Sequence, residues 1–527
     1  MSNSNIGARK NRNIRDHLFV IHAIVNDIIN NKDSDDVDFQ IYDIAKCFDK
    51  LEFTNTATDF YIAGVSDDRF ITVTNSNKNC DIAIKTPWGK TPRFTLNNIE
   101  MQGTVLAGLK CSVSIDTIGK EALQKEHNIL YKYRNCTSIP PLSLIDDIIG
   151  IAKCSPSSVE LCGTIKAKIS GKQLELSERK CHHMHIGKVN DNCPVLTLNE
   201  KEMQKSKSER YLGDIISANG RNDENIEDRY NKGIGYVTQI VGILKEISFG
   251  QFFFEQALQL RNAKLVNGLL CSIEAMYGLT NSNIETLEKC DRFLFRKIFN
   301  CPVSTPIESF YLETGTMPIR FIIIGRRLLF YWSILNKSEN ELAKQVLLTQ
   351  QISPVKNDWC STVEEDLRSL NIDMHQDTIA AMKKTTFKKL VQSKLRETAF
   401  AYLLELKRKH SKSANLTASP QIQKYLSSCD LTTQEKQVLF SLRTRTFDCK
   451  ANYKNGNDTL ACNQCGNLDE QEHLIQCAKD QSDIDLPDVK YSDIFGTIQQ
   501  QVKVAKAMKK ILDFRKSSST GSQEHRH

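Results

Sequence analysis

The sequence of 527 residues lacks a long apolar run and an apolar N-terminal segment. Its most apolar stretch, residues 321–335, is interrupted by Arg326 and Arg327, and its N-terminus is polar and basic. These absences argue against a secretory signal and against a membrane span. No internal repeat appears either. We therefore expect a protein of the cytoplasm and nucleus that has no membrane partner.

Cysteine is abundant, because the chain has 17 of them without a secretory signal. This usage indicates a reducing compartment, buried thiols, and Cys/His clusters as candidate metal sites. The net charge of +7 suits a polyanionic partner. Residues 383–412 hold ten Lys or Arg against Glu397 and Glu405, and residues 503–515 are also basic. Taken alone, such runs favour solvated helix faces over a nucleic-acid surface.

Two adjacent carboxylates, Asp146 and Asp147, lie within the apolar segment 141–153. Each flanking run has the length of a strand, which predicts a hairpin with the pair at its tip. Adjacent carboxylates beside apolar surface repel each other and resist desolvation, unless divalent cations lie between them. This segment alone fits a plain Asp-Asp turn equally well.

A third carboxylate, Asp43, follows the alternating apolar residues Val37, Phe39 and Ile41. The alternation predicts a strand that ends at Asp43, with a helix beginning after it. Asp43 could then be the N-cap of that helix, and Asp49 a solvated residue within it. If the strand end instead meets the hairpin tip, three carboxylates form an oxygen-ligand site for two Mg²⁺ ions, which suits phosphoryl transfer.

Five short segments of the chain stand in a recognisable order. They are 43–49 (DIAKCFD), 101–106 (MQGTVL), 144–147 (LIDD), 178–181 (ERKC) and 211–213 (YLG). Their order and spacing resemble the reverse transcriptases of non-LTR (LINE-type) retrotransposons, and residues 6–10 and 16–17 resemble the part that precedes the first block. The likeness covers residues 6 to 216 and, more loosely, the helices up to residue 335.

The resemblance implies roles for individual residues. The implied catalytic ligands of Mg²⁺ or Mn²⁺ are Asp43, Asp146 and Asp147. Phe48 corresponds to the aromatic residue that clashes with a ribose 2′-hydroxyl, and Gln102 and Gly103 correspond to a contact with the template and the incoming nucleotide. Lys180 corresponds to a catalytic lysine that approaches the triphosphate and acts as a general acid. Residues 211–213 would form a hairpin that grips the primer strand.

The resemblance also implies an α+β chain built like a polymerase right hand. A palm with a remnant of the fingers, made of an antiparallel sheet with helices, would occupy residues 1–218. An all-α thumb (219–335), a basic helical connector (336–450), a zinc knuckle (451–485) and a basic helix with a disordered tail (486–527) would follow. The implied partners are an RNA template, a DNA primer and deoxynucleoside triphosphates.

Some features depart from the family pattern. Leu144 stands where an aromatic residue is expected, and Ile145 is larger than the alanine of many relatives. The chain also begins after the basic finger strands and the endonuclease domain that relatives carry upstream. We therefore expect an N-terminally truncated copy, either degenerate or fragmentary.

The segment 181–185 (CHHMH) invites a metal interpretation. Strand alternation would place Cys181, His183 and His185 on one face. Spacing of two along a strand is not a usual zinc pattern. The segment therefore favours a strand edge beside the palm over a metal site.

A tighter spacing, Cys-x2-Cys-x7-His-x3-Cys, unites Cys462, Cys465, His473 and Cys477. A Cys-x2-Cys turn lets two thiolates approach one Zn²⁺ ion, and a helix would place His473 and Cys477 on one face. Four ligands fill the zinc shell and predict a structural site. The alternative is four unrelated residues in a Cys-rich chain, which the tight spacing disfavours. Relatives carry a similar element, thought to bind nucleic acid.

The loop of this knuckle is acidic at residues 469–472. We therefore expect Arg443, Arg445 and Lys450, just upstream, to supply any phosphate contact.

Two functions remain open at this point. The first is an RNA-directed DNA polymerase whose helices after residue 220 follow the RNA–DNA hybrid. The second is a catalytically silent nucleic-acid-binding remnant, which the absent fingers favour and the intact Asp triad opposes. A structural or interaction protein has no positive signal beyond the basic helices.

Overall fold

The computed structural model describes residues 2–7, 9–31, 33–76, 79–96, 104, 106–124, 129–154, 156–187, 194–246, 250, 252–417, 421–453, 460–481 and 485–520. Within these ranges the chain is mostly helical and carries one larger and several two-stranded sheets. The predicted α+β class is confirmed.

The helices alternate with strands up to residue 217 and dominate after it. The helices are α1 (Ile14–Asn30), α2 (Cys47–Lys50), α3 (Phe53–Ile62), α4 (Asp67–Asn75), α5 (Ala107–Gln124), α6 (Pro156–Gly171), α7 (Asp223–Glu246), α8 (Phe253–Leu260), α9 (Asn267–Leu269), α10 (Asn281–Phe299), α11 (Ile307–Thr314), α12 (Ile319–Leu335), α13 (Leu342–Ile352), α14 (Trp359–Ser369), α15 (Gln376–Ala381), α16 (Lys384–Lys409), α17 (Thr433–Arg443), α18 (Leu474–Gln481) and α19 (Ile498–Thr520).

The strands all lie in the first 217 residues of the described chain. They are β1 (Val37–Asp43), β2 (Cys80–Ile82), β3 (Lys85–Thr86), β4 (Gly89–Lys90), β5 (Phe94–Leu96), β6 (Lys132–Tyr133), β7 (Thr137–Ser138), β8 (Leu142–Leu144), β9 (Asp147–Lys153), β10 (His182–Ile186), β11 (Thr197–Leu198), β12 (Lys201–Glu202), β13 (Gln204–Lys205), β14 (Ser208–Tyr211) and β15 (Asp214–Ser217).

The central sheet has five strands in the order β13-β10-β1-β9-β8. Strand β1 pairs antiparallel with β10 on one side and with β9 on the other. The strand predicted before Asp43 and the hairpin predicted around Asp146 and Asp147 are therefore both confirmed. The hairpin partner of β9 is β8, and β1 lies next to β9 although more than 100 residues separate them.

Both faces of this sheet are covered, so its strands alternate between two cores. Phe39 and Ile149 point toward a core that includes α1, and both are completely buried. Tyr42 and Ile148 point the other way, into a core that includes residues of α5 and α6. A one-residue slip would exchange the two faces, so burial of about 1.5–3 kcal/mol per large apolar side chain fixes the register.

The helices after residue 220 belong to two cores, of which one is new and one is the core on the α1 side of the sheet. The new core unites buried residues of the segments 226–323 and 403–511. The core on the α1 side unites residues of the segments 18–216 and 275–399. Helix α12 contributes to both, because Ile323 packs in the first core and Leu328 in the second. The long α12 therefore joins the sheet to the C-terminal helices.

Arg443 corrects one expectation from the sequence, because it does not face solvent. Its guanidinium nitrogens lie 3.0–3.1 Å from the Glu313 carboxylate, and both side chains are buried. Tyr425 donates a second hydrogen bond to Glu313 at 2.7 Å. Glu313 comes from the distant α11, so no local pattern around Arg443 indicates that it is unavailable to a phosphate.

Within the described ranges, no helix is long and apolar enough to cross a membrane.

Replacing Arg443 by Met should destabilise the fold strongly, since Glu313 would be left as a buried charge without its cation. We expect a loss of about 3–5 kcal/mol of the free energy of unfolding, measured by urea unfolding. Arg445→Met is the matched control, because Arg445 pairs with Glu472 at the partly exposed surface. That change should alter stability by about 1 kcal/mol or less. Equal effects of the two substitutions would contradict this account.

Candidate active site and candidate zinc site

The turn between β8 and β9 carries the adjacent carboxylates. Leu144 pairs with Asp147, so Ile145 and Asp146 form a two-residue turn. Ile145 adopts φ +57°, a left-handed conformation that is rare for a β-branched residue. Its side chain packs, as do those of Phe48 and Leu176, against the core that includes residues of α5 and α6. This packing holds the strained turn, and with it Asp146, at the end of the hairpin.

The register of β1 brings the third carboxylate to the same place. Asp43 is the last residue of β1 and lies directly opposite Asp147, the first residue of β9. Side chains of directly opposed residues are about 4.5–5.5 Å apart at their Cβ atoms, and like charges in this arrangement repel. The alternative role of Asp43, a simple helix cap, is not what the structure has, because Lys46 occupies the N-cap position of α2.

Lys180 lies over Asp43. Backbone hydrogen bonds dock the segment before Lys180 against the end of β1: Ala45 donates to Glu175, and Ser177 donates to the carbonyl of Asp43 at 2.9 Å. The Lys180 Nζ atom then lies 3.2 Å from both carboxylate oxygens of Asp43. The structure thus brings together four of the predicted site residues, Asp43, Asp146, Asp147 and Lys180.

The crowding of carboxylates shifts their proton affinity. Asp147 keeps contact with solvent, but desolvation by its surroundings and the charges of Asp146 and Asp43 raise its pKa to about 6, against an opposing effect of Lys180. Desolvation and the charge of Asp43 also raise the pKa of Asp146. Such shifts arise where carboxylates are held together without a compensating cation. One ammonium group is thus insufficient compensation for three carboxylates.

The oxygens of these three carboxylates do not converge on one point. Within the described residues, two groups of three or more potential metal ligands have all their ligand atoms within 4.8 Å of one another, and the Asp43–Asp146–Asp147 set is not one of them. Like charges on opposed residues repel each other, which disfavours a closer approach without a cation. Their all-oxygen donor set nevertheless matches the preference of Mg²⁺ and Mn²⁺.

The residues implied to contact nucleotide are only partly within the described chain. Phe48 lies on α2 and is half-buried against the same core as Ile145 and Leu176. Gln102 and Gly103 lie outside the described residues. The helix that follows them, α5, begins at Ala107, and its Gly108 faces the side chain of Ile145.

The hairpin β14–β15, which carries the predicted 211–213 turn, lies beside the carboxylates. Leu212 and Gly213 form the turn with positive φ angles. Burial raises the pKa of Tyr211 well above its ordinary value, and the charge of nearby Asp147 raises it further. Next to the turn, buried Asp214 accepts hydrogen bonds from Arg229 and His22. This buried ion pair ties the hairpin to α7 and α1.

One residue at the site was not predicted as part of it. The backbone N–H of Asp43 donates to the Cys181 thiol at 3.5 Å, and burial raises the pKa of that thiol to about 11. Cys181, the neighbour of Lys180 in the chain, therefore helps to hold the backbone of Asp43 in place. The only sequence sign of this role is its place after Lys180 in the 178–181 segment. Cys181 directly precedes β10.

The knuckle ligands converge as their spacing predicts. The four ligand atoms of Cys462, Cys465, His473 and Cys477 lie within 4.8 Å of one another. The Cys462 and Cys477 sulfurs are 3.7 Å apart, and the Cys465 sulfur is 3.0 Å from Nε2 of His473. Gly466, at φ +78°, closes the turn by donating to the carbonyl of Cys462. The set is a possible Cys3His zinc site.

The surroundings favour the thiolate at Cys462, whereas burial and the neighbouring cysteines raise the pKa of Cys477 to about 12. Burial alone would raise the pKa of Cys462, but the backbone N–H groups of Gln464 and Cys465 lower it to about 7. The loop is anchored by Asp469, which is fully buried and accepts from both Arg515 and the Lys450 backbone. Lys450 points its ammonium at the carbonyl of Ala461, so it braces the loop.

Comparisons with known proteins identify a class of similar structures, the telomerases. No family model and no curated protein matches the chain. The apo telomerase of Candida tropicalis is similar with 12% identity and a TM-score of 0.34, covering 74% of this chain and 57% of that one. The telomerase of Candida albicans in complex with a TWJ fragment of telomeric RNA has 10% identity and a TM-score of 0.31, covering 65% and 55%.

A C. tropicalis telomerase truncated from its C-terminal domain has 17% identity and a TM-score of 0.28, covering 41% of this chain and 40% of that one. The chain thus spans between 40% and 57% of the length of these telomerases. Because the TM-scores lie below 0.5, we base no inference on this likeness.

The raised pKa of Asp147 predicts a pH-dependent stability. In metal-free protein, the Asp147 carboxyl group keeps its proton up to about pH 6 in the folded state, whereas in the unfolded chain it releases the proton near pH 4. Stability is therefore lost as the pH rises from about 4 to about 6. Asp147→Asn removes this loss, so it should raise the thermal midpoint by about 1–3 °C at pH 8 and leave it unchanged at pH 4.

Asp49→Asn is the control, since Asp49 is an exposed carboxylate on the neighbouring α2. It should leave the midpoint unchanged at both pH values. A stabilisation by Asp147→Asn that is equal at pH 4 and pH 8, or a destabilisation at pH 8, would refute the assigned electrostatic conflict.

Proposed function

We propose that this chain is an RNA-directed DNA polymerase of the non-LTR retrotransposon type. The single observation that carries the proposal is the register of β1 with β9, which sets Asp43 opposite Asp147 with Asp146 in the adjoining turn. Three carboxylates at the neighbouring ends of two strands suit a reaction in which divalent cations position and neutralise phosphate groups. The order of the five sequence segments supports the same reaction class.

In this proposal, Asp43, Asp146 and Asp147 hold Mg²⁺ or Mn²⁺. Bound there, the cations would activate a primer 3′-hydroxyl and stabilise the pyrophosphate that leaves. The raised pKa of Asp147 fits a site that is short of positive charge without them. Because Lys180 lies on Asp43, its ammonium must move when a cation binds, and its side chain, 67% exposed, has room to do so.

Lys180 would then serve the leaving group. Its ammonium carries three donors, which suit contact with the triphosphate, and it could protonate the pyrophosphate as a general acid. Phe48, packed against the turn, would exclude a ribose 2′-hydroxyl and so select deoxynucleotides. Gln102 and Gly103 remain proposed contacts to the template and the incoming nucleotide, by the sequence resemblance alone.

The helices provide surfaces for the nucleic acid. Helix α16 buries one stripe, formed by Phe387, Val391, Leu395, Ala399 and Leu403. Most basic side chains of α16 point away from that stripe into solvent, including Lys384, Lys388, Lys389, Arg396 and Arg408. Contacts of this kind neutralise phosphates without reading sequence. We propose the segments 219–335 and 336–450 as thumb and connector, and Zn²⁺ as the ion that the Cys3His knuckle holds.

A second candidate, a silent nucleic-acid-binding remnant, has one observation in its favour. The ion pair between Lys180 and Asp43 already satisfies one ligand of the site without any divalent cation. In that case the basic helices would still bind a primer–template, but no nucleotide would be added.

Primer extension separates the two candidates. The full chain should extend a DNA primer on a poly-riboadenylate template with Mg²⁺ or Mn²⁺. Asp146→Ala should reduce extension by about 100-fold or more, because it removes a ligand of the proposed cations that stabilise the transition state. Asp49→Ala, which alters an exposed carboxylate nearby, should retain the rate.

Binding of the same primer–template, measured by fluorescence anisotropy, completes the test. Folded wild-type chain that binds but does not extend the primer would overturn the polymerase and favour the silent remnant. A chain that neither binds nor extends would contradict both candidates.

A further inference from the structure

A second cluster of chemically reactive side chains lies at the opposite end of β1 from Asp43. Asp38 pairs across the sheet with His185 of β10, and Cys154 directly follows β9 on the other side. The ligand atoms of these three residues all lie within 4.8 Å of one another. Five residues of strand, roughly 16 Å, separate Asp38 from Asp43, so this cluster is distinct from the proposed active site.

Asp38 is the unusual member, because a carboxylate is fully buried in the middle of a sheet. Its Oδ2 accepts a hydrogen bond from the Ser158 hydroxyl at 2.8 Å. Its Oδ1 accepts no hydrogen bond from the described residues and points toward Nδ1 of His185, 3.5 Å away. A buried carboxylate oxygen that accepts no hydrogen bond and has only this 3.5 Å ion-pair contact is poorly compensated, so a cation in this space would stabilise it.

The surroundings fix which Asp38 oxygen is left for that cation. The side-chain Nε2 of Gln40 donates to the Ser158 hydroxyl oxygen at 2.8 Å, and the Tyr42 hydroxyl donates to the side-chain Oε1 of Gln40 at 2.7 Å. The Ser158 hydroxyl hydrogen therefore points at Oδ2 of Asp38. This chain of buried hydrogen bonds fixes the orientation of the carboxylate and leaves Oδ1 facing the cluster.

His185 is oriented in the way that metal-binding imidazoles are. Its Nε2 lies 3.8 Å from a carboxylate oxygen of Asp36, while its Nδ1 faces Asp38. A carboxylate beside the far ring nitrogen fixes the tautomer and leaves the near nitrogen as a metal ligand. Gly187, at φ +139°, makes room for Asp36, because a Cβ there would collide with its carboxylate. The amide of Cys154 donates to the Asp36 carbonyl at 2.9 Å and so positions the thiol.

We propose that Asp38, Cys154 and His185 bind a transition-metal ion, with Zn²⁺ as the ion that their chemistry fits. One thiolate, one imidazole and one carboxylate are all zinc ligands, whereas Mg²⁺ and Ca²⁺ take oxygen ligands. Three protein ligands leave a fourth position for water. Because the ligands come from β1, from β10 and from the end of β9, the ion would clamp three neighbouring strands and stabilise the sheet beneath the proposed active site.

Zinc content per chain, measured by mass spectrometry after exhaustive dialysis, tests this proposal on the full chain. Wild-type protein should carry one zinc more than Cys154→Ser and one more than His185→Ala. Cys465→Ser should lose the knuckle zinc and keep the second one. His182→Ala is the matched control, since His182 lies on the other face of β10 against Glu209 and should keep the full zinc content.

Co²⁺ titration of Cys465→Ser protein guards against variants that fail to fold. With the knuckle disabled, one equivalent of Co²⁺ should give a thiolate charge-transfer band and raise the thermal midpoint. Zinc content that is unchanged in folded Cys154→Ser, or the absence of that band in folded Cys465→Ser, would overturn the proposal. In that outcome the three side chains are an ordinary polar cluster of the sheet.

Discussion

The antiparallel pairing of β1 between β9 and β10 is the constraint on which the rest of the molecule depends. It sets Asp43 opposite Asp147 at one end and Asp38 opposite His185 at the other. The register is not free to slip, since alternate residues of β1 pack into two different cores. Apolar burial thereby fixes the positions of charged groups that would otherwise separate.

That arrangement places mutually repelling carboxylates at the proposed active site. Asp43 and Asp147 face each other with Asp146 beside them, and Lys180 supplies the one close ammonium that the structure describes. The repulsion between these carboxylates therefore lowers the stability of the folded chain, and a bound divalent cation would relieve that repulsion. The supporting parts are rigid: the buried pair of Asp214 and Arg229 holds the neighbouring hairpin, and α12 joins the sheet to the C-terminal helices.

Local patterns predicted the local elements well. Alternation predicted β1, two apolar runs predicted the hairpin, and ligand spacing predicted the convergence at Cys462 and His473. Contacts between distant segments were not predictable in this way. Cys154 meets Asp38 only because β9 lies beside β1, and Arg443 is buried only because Glu313 reaches it from another helix.

Iron-directed backbone cleavage tests the central claim most directly. Fe²⁺ in place of Mg²⁺, with ascorbate and peroxide, generates radicals that cut the chain next to the bound ion. Cuts should cluster near residue 43 and near residues 146–147 together, should fade as Mg²⁺ is added, and should vanish in Asp147→Asn. Cuts at neither position, or at one of them alone, would contradict a shared cation site built by the register of β1.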